Sequence, residues 1–220
     1  MIEHHIQTDI LLRLAKAEKL RFSELKPKDI ESNLFMYHLH QLQARKMVEK
    51  EGGAYQLSND GLSYIDGFSF NSLKPRKAPK VICILAIRNP TGHWLLARRK
   101  YQPYIGKHMF VSGKRHLGES PEAHARRELH EKLNFEVALT QRGLADVRIY
   151  RGQALITHVT AHVYTGQTIN DELPLSTHQF DYMWFDPKQE LPLLAGTREI
   201  MDKIETDDNN FLLSLDVSDD

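Results

Sequence analysis

The segment from Gly113 to Phe135 constrains this chain more than any other, because a glycine loop runs directly into a helix rich in carboxylates. Ser120 and Pro121 are typical of a helix N-cap followed by the first helical residue, so we expect the helix to begin near Pro121. Glu128 and Glu131 are three residues apart and therefore share one helix face. Carboxylate oxygens are the ligands that Mg2+ prefers, so the segment predicts a site for a divalent metal and a diphosphate.

The offsets in this segment follow the Nudix box, G-x5-E-x7-R-E-U-x-E-E-x-G-U, where U is a bulky aliphatic residue. The matching positions are Gly113, Glu119, Arg127, Glu128, Leu129, Glu131 and Phe135. The segment therefore resembles a Nudix domain, and the resemblance covers about residues 78 to 206. It implies Mg2+ or Mn2+ as cofactor, with Glu119, Glu128 and Glu131 as metal ligands. It also implies that Glu128 and Glu131 are catalytic and that Arg127 supports catalysis by bracing a box carboxylate.

The sequence departs from the box at two positions, because Lys132 replaces the second glutamate of the E-E pair and Asn134 replaces the late glycine. Glu128 followed by Lys132 is the favourable order for a helical ion pair between residues four apart, and such a pair would occupy a metal ligand. The ammonium could also bind a phosphate as a point charge without activating water. Glu119, Glu128 and Glu131 nevertheless remain, so slow hydrolysis stays open.

Glycines and basic residues around the box favour an anionic ligand. Gly113 and Gly118 would let the backbone turn tightly and approach a phosphate. The candidate ligand-binding residues are Gly113, Lys114, Arg115, Lys132 and Arg98, and Arg99 and Lys107 flank the same site. A solvated basic surface is the alternative interpretation of these cations.

The sequence around the box predicts strands on either side of the helix. Val81–Ile87 is a continuous apolar run typical of a buried strand, Asn89–Gly92 predicts a turn, and Trp94–Ala97 begins a second strand. β-Branched and aromatic residues predict later strands at residues 147–150, 154–164 and 182–185, and a closing helix spans about residues 197–204. As in Nudix domains, we expect an α/β/α sandwich with a mixed sheet.

The first third of the chain predicts three helices followed by a β-hairpin. One helix carries an apolar face at Ile6, Ile10, Leu11 and Leu14, Phe22–Leu25 opens a short second helix, and residues 31–33 are typical of the cap of a third. In the third helix, the residues that follow helical periodicity are Leu34, Tyr37, His38, Leu39 and Leu42. A glycine turn at residues 52–53 and a further helix follow. The order resembles a winged helix-turn-helix domain of the broad MarR or ArsR type.

That resemblance implies that the third helix enters the major groove of double-stranded DNA. The candidate DNA-binding residues are Ser32, Asn33, Tyr37, His40, Gln41 and Arg45. Residues 1–75 carry acidic and basic side chains in similar numbers, whereas DNA-binding domains often show a basic excess. A winged helix used for dimerisation or protein contact is therefore the alternative. We expect a homodimer.

Composition sets the remaining expectations. A formal net charge of zero and 41% hydrophobic residues are typical of a soluble globular protein, and Cys83 is expected to be a buried thiol. The two resemblances together imply an α+β fold. Signal and membrane-spanning segments are not evident, which favours the cytoplasm. We expect a winged helix at residues 1–73, a basic linker at 74–80, a Nudix domain at 81–206 and an acidic tail at 207–220.

Two functions follow from these expectations. The favoured one is a ligand-responsive DNA-binding regulator whose Nudix domain binds a nucleoside-diphosphate-type ligand with weak or lost hydrolysis. The alternative is an active Mg2+-dependent pyrophosphohydrolase of nucleoside diphosphate derivatives. The substitution at Lys132 favours the first function, while the three remaining glutamates keep the second open.

Overall fold

The chain divides into two compact units, Met1–Ala78 and Pro79–Asp220, in a computed structural model. The structure describes residues 4–69, 74–206 and 210–219. None of the helices in these ranges is long and apolar enough to cross a bilayer.

The N-terminal unit combines short helices with a three-stranded antiparallel sheet in the order β1-β3-β2. Its elements are α1 (His5–Leu14), β1 (Leu20–Arg21), α2 (Phe22–Leu25), α3 (Ser32–Ala44), β2 (Val48–Glu51), β3 (Ala54–Leu57), α4 (Asn59–Asp66), β4 (Phe68–Ser69) and β5 (Lys74–Pro75). Gly52 and Gly53 both have positive φ, as the tight turn between β2 and β3 requires. Strands β4 and β5 pair with each other in antiparallel orientation, so Lys74 and Pro75 of the expected linker belong to a strand.

The core of the N-terminal unit is formed by the apolar faces of α1 and α3 together with the small sheet. Ile10, Phe35 and Leu39 are fully buried, and Leu42 packs in the same cluster. The predicted apolar face of α3 was partly wrong, because Leu34 and Tyr37 are 47% and 58% exposed. The buried stripe instead contains Phe35, His38, Leu39 and Leu42, which keep the three-to-four residue spacing of a helix face.

The C-terminal unit is built on a seven-stranded mixed sheet in the order β11-β7-β8-β6-β10-β9-β12. Its elements are β6 (Lys80–Arg88), β7 (Trp94–Arg99), β8 (His108–Lys114), α5 (Pro121–Leu133), β9 (Thr140–Arg151), β10 (Ala154–Gln167), β11 (Phe180–Phe185), α6 (Thr197–Thr206) and β12 (Phe211–Ser218). Strand β6 pairs in parallel with β10, and β9 pairs in parallel with β12. The predicted α+β class with a mixed sheet is confirmed.

The two faces of this sheet carry separate apolar clusters. Along β6, Ile84 and Ala86 join the cluster that contains α6, whereas Cys83 and Leu85 join the cluster that contains α5. This alternation is the period of two that a pleated strand imposes. One helix therefore covers each face, and α5 brings the box residues against β6 and β8.

Two expectations about the C-terminal unit were wrong. Residues 211–218 form strand β12 rather than an acidic tail, while residues 207–209 and 220 lie outside the described residues. Phe211, Leu213 and Leu215 point inward at alternate positions, so the strand periodicity outweighs the acidic composition. Gly113 belongs to strand β8 rather than to a loop, because Cys83 pairs with it across the sheet.

Candidate functional site

Helix α5 begins and ends as its local sequence dictates. The Ser120 hydroxyl accepts a hydrogen bond from the Ala123 amide at 3.2 Å, and Pro121 is the first helical residue. At the other end Asn134 has φ 52° and ψ 38°, the left-handed conformation. Asparagine is the commonest substitute for glycine in that conformation, so the replacement of the late box glycine leaves the helix end intact.

Arg127 holds all three box glutamates together. Its guanidinium donates to both carboxylate oxygens of Glu119 at 2.8 and 3.0 Å, to Glu128 Oε1 at 2.8 Å and to Glu131 Oε2 at 3.1 Å. It also donates to the carbonyl oxygen of Lys114 at 3.1 Å, which ties the helix to the end of β8. The hydrogen bonds from Arg127 lower the pKa of Glu119 to about 2.

Lys132 occupies the space between Glu128 and strand β8. Its Nζ atom lies 2.9 Å from Glu128 Oε2 and donates a hydrogen bond to the carbonyl oxygen of Ser112. The predicted ion pair between residues four apart is therefore present. Glu128 is only 4% exposed. Burial raises the pKa of Glu128, but the contacts with Lys132 and Arg127 outweigh it, and the net pKa is lowered.

Gly113 makes room for the buried carboxylate. A Cβ atom at this position would overlap the carboxylate of Glu128, and the φ angle of Gly113 is not positive. The prediction that Gly113 serves a tight turn was therefore wrong, since the glycine serves close packing. Gly118, with φ 80° and open space around its Cα, is the residue that turns the loop.

His124 is a buried member of this site that the sequence analysis did not single out. Its Nε2 lies 3.1 Å from the carbonyl oxygen of Gly113 and 3.9 Å from Glu128 Oε1. Burial lowers the pKa of this imidazole, which favours its neutral form. The signal was available, because His124 precedes Glu128 by four residues and must share its helix face.

A pocket of about 560 Å3 adjoins these residues. Its charged end contains Lys114, Arg127, Glu128, Glu131 and Lys132. The other walls are mainly apolar and come from β6, β8, β9, β10 and the start of α6. Such a pocket has the size and mixed chemistry that small-molecule sites usually have.

Only two of the four predicted ligand-binding cations line the pocket. Lys114 and Lys132 line the pocket, but Arg98 and Arg115 do not. Arg98 is exposed on β7, where it alternates with the buried Ala97. Arg115 donates to the Glu119 carbonyl oxygen at 2.7 Å, so it supports the loop before α5.

Arg99 was among the cations expected beside the box and lines the pocket, whereas Tyr101 and Phe180 were missed because they are distant in sequence. Arg99, Tyr101 and Phe180 form a cationic and aromatic rim, in which the Arg99 guanidinium stacks 3.9 Å from the Tyr101 ring centroid. Lys80 lines the same pocket from the start of β6. The pairing of β7 with β11 brings Phe180 opposite Arg99, and the sequence alone does not give this pairing.

Comparison with known proteins identifies the family. The NUDIX domain model matches residues 77–204, which is more than half of the chain. The chain belongs to the Nudix family. No curated protein matches the chain.

Solved Nudix structures are similar to more than half of this chain. A MutT NUDIX hydrolase from Burkholderia pseudomallei is 26% identical, with TM-score 0.48, over 58% of this chain and 99% of its own. A MutT protein from Bacillus halodurans is 17% identical, with TM-score 0.53, over 64% and 91%. The NUDIX domain of Shewanella oneidensis NrtR, complexed with ADP ribose, is 15% identical, with TM-score 0.50, over 66% and 96%. At 17% and 15% identity, the last two show a shared fold.

Nudix enzymes generally use divalent metals, which need free oxygen ligands. Five of the six oxygens of Glu119, Glu128 and Glu131 lie within 3.1 Å of the side chain of Arg127 or Lys132. Within residues 4–69, 74–206 and 210–219, no three His, Cys, Asp or Glu side chains form a group able to hold a metal ion. The site as arranged does not fit a divalent metal, because Arg127 and Lys132 already neutralise the carboxylates that would bind it.

Proposed function

We propose that this protein is a ligand-responsive DNA-binding regulator whose Nudix domain binds a nucleoside-diphosphate-type ligand and hydrolyses it weakly or not at all. The ion pair between Lys132 and the buried Glu128 carries this proposal, because it neutralises the carboxylate that a catalytic metal would need. Phosphate chemistry without a metal lacks the Lewis acid that activates water. What remains is a pocket with cations for an anion and apolar walls for an organic group.

A second function, Mg2+-dependent pyrophosphohydrolysis, is supported by a separate observation. Glu119, Glu128 and Glu131 all lie within 3.1 Å of the Arg127 guanidinium, so the three carboxylates that the resemblance assigns to the metal are close together. A metal that displaced Lys132 would find these carboxylates within one small volume. The two functions therefore differ in whether the Lys132 ammonium leaves Glu128.

Replacing Lys132 with glutamate separates these functions. We expect Lys132→Glu to increase Mg2+-dependent product release from ADP-ribose and UDP-glucose by at least about tenfold, since it restores a carboxylate to the helix face. Lys188→Glu, which makes the same charge change at an exposed position, should leave the parent rate unchanged. Turnover by the parent that disappears in Glu128→Gln would support the enzyme instead. Equal inactivity of parent and Lys132→Glu would contradict our account of the site.

The N-terminal unit supports the DNA-binding half of the proposal. Its order α1-β1-α2-α3-β2-β3-α4, with the sheet order β1-β3-β2, is that expected of a winged helix. Five of the proposed DNA-contacting residues are exposed and Gln41 is half-buried; the exposed ones are Ser32, Asn33, Tyr37, His40 and Arg45. A ligand could control DNA binding only if it bound two arrangements of the protein with different affinity.

DNA binding can be tested without a known operator. Selection from a random duplex library should enrich a sequence with two-fold symmetry, because we propose that the protein binds as a homodimer. Arg45→Ala should weaken binding to the enriched duplex by at least about tenfold in fluorescence anisotropy. Lys16→Ala removes one positive charge from an exposed position outside α3 and should change the affinity little. Failure to enrich any sequence would favour a winged helix used for protein contact.

A further inference from the structure

We propose that the Nudix pocket binds an organic diphosphate without any metal ion, with the ammonium of Lys132 acting as a resident cation. This inference rests on the proposed ligand-binding function and adds the source of the positive charge that replaces a metal. It predicts binding that is insensitive to chelators.

Lys132 is held in place by oxygen atoms of the protein. The Ser112 carbonyl oxygen accepts a hydrogen bond from Nζ, and Glu128 Oε2 lies 2.9 Å away. These are hard oxygen donors of the kind a divalent cation would use, and here they contact the ammonium instead. An ammonium carries three N–H donors, so one direction is left for a ligand oxygen. The Lys132 side chain is 26% exposed and lines the pocket, which makes that contact accessible.

The charges that line the pocket already favour an anion. Lys80, Arg99, Lys114, Arg127 and Lys132 supply five positive side chains, whereas Glu128 and Glu131 supply two carboxylates. Glu119 lies outside the lining but pairs with Arg127, so five cations and three carboxylates leave an excess of two positive charges before any metal is added. A diphosphate needs such neutralisation in order to leave water for a partly enclosed site. No extra cation is required to attract it.

The remainder of the pocket selects an organic group. Its apolar walls include Ile84, Phe110, Val147, Ile149, Leu194 and Ile200, each less than 9% exposed. Tyr104, whose hydroxyl donates to Thr157 Oγ1 at 2.9 Å, adds one polar pair to these walls. Inorganic pyrophosphate would leave the apolar walls in contact with water, whereas an organic diphosphate would cover them.

Isothermal titration calorimetry of the full chain tests this proposal. The probes are ADP, ADP-ribose, UDP-glucose and inorganic pyrophosphate, each titrated once with Mg2+ and once with excess EDTA. We expect at least one organic diphosphate to bind with dissociation constants that agree within about threefold in the two buffers, and pyrophosphate to bind at least about tenfold more weakly. Lys132→Met should weaken binding in EDTA by at least about tenfold, while Lys188→Met should not.

Each outcome has a distinct meaning. Binding that requires Mg2+ would overturn metal independence but leave the proposed ligand-binding function standing. Absence of binding by every diphosphate in both buffers would contradict the proposed function itself. Pyrophosphate binding as tight as that of the organic compounds would overturn the role of the apolar walls. The comparison of buffers uses the parent protein, so it decides metal independence even if Lys132→Met does not fold. Folded Lys132→Met that binds as tightly as the parent in EDTA would overturn the role of Lys132.

Discussion

Arg127→Met should destabilise the C-terminal unit by about 3 kcal/mol, because it removes the guanidinium that neutralises three carboxylates. Glu128 is the critical partner, since its side chain is 5% exposed and would keep only Lys132 as a counter-charge. An unbalanced buried charge is far more costly than a broken surface ion pair. The exposed Arg126 on the same helix provides a matched control, and Arg126→Met should change the stability by less than about 0.5 kcal/mol.

Tryptophan fluorescence during urea unfolding measures the loss of stability of the C-terminal unit. Both tryptophans of the chain, Trp94 and Trp184, lie in the C-terminal unit, so the signal does not report the N-terminal unit. A loss of stability in Arg127→Met no larger than that in Arg126→Met would show that the carboxylates do not depend on Arg127.

The same variant should change the acid sensitivity of the unit. The pKa of Glu119 falls from 4.5 to about 2 in the folded protein, chiefly because Arg127 donates hydrogen bonds to it. Ionised Glu119 therefore stabilises the folded state above pH 4.5, and this stabilisation is lost as the pH falls through the folded pKa of about 2. In Arg127→Met, unfolding free energies should decline less steeply over that interval than in the parent. An unchanged decline would assign the acid sensitivity to other groups.

Gly113→Ala should destabilise the C-terminal unit by about 3 kcal/mol and abolish ligand binding in the calorimetric titration. The added methyl group would overlap the Glu128 carboxylate, which is held from both sides by Arg127 and Lys132 and cannot move without breaking an ion pair. Gly118→Ala is the comparison, since its Cβ would meet open space and only the φ of 80° is unfavourable. Its cost should be about 1 kcal/mol.

A double-mutant cycle distinguishes steric overlap from a general intolerance of alanine in strand β8. In a Glu128→Ala background the obstructing carboxylate is absent, so Gly113→Ala should cost much less than in the parent. The coupling energy between positions 113 and 128 should be at least about 1 kcal/mol. Additive effects would mean that the glycine is required for another reason.

Local features of the site followed from sequence because helix geometry acts over a few residues. The start of α5 at Pro121 was correctly predicted from Ser120 and Pro121, and so was the contact between Glu128 and Lys132. A period of 3.6 residues places side chains four apart on one face whatever surrounds the helix. Strand β12 was missed because the acidic residues on either side of it obscured the alternation of Phe211, Leu213 and Leu215.

Contacts between distant segments depended on strand pairing. The antiparallel register of β6 and β8 places Gly113 opposite Cys83, and α5 then packs Glu128 onto that glycine. Lys132 reaches the Ser112 carbonyl only because β8 ends beside α5.

By itself, the sequence determined the family, the box helix and the charge reversal at Lys132, since these depend on residue identity and short spacing. Only the tertiary structure decided that Arg127 and Lys132 neutralise the box carboxylates and that Arg99 and Lys80, rather than Arg98 and Arg115, line the pocket. The physical reason is that strand register and helix packing set which side chains meet, and both depend on burial across the whole sheet.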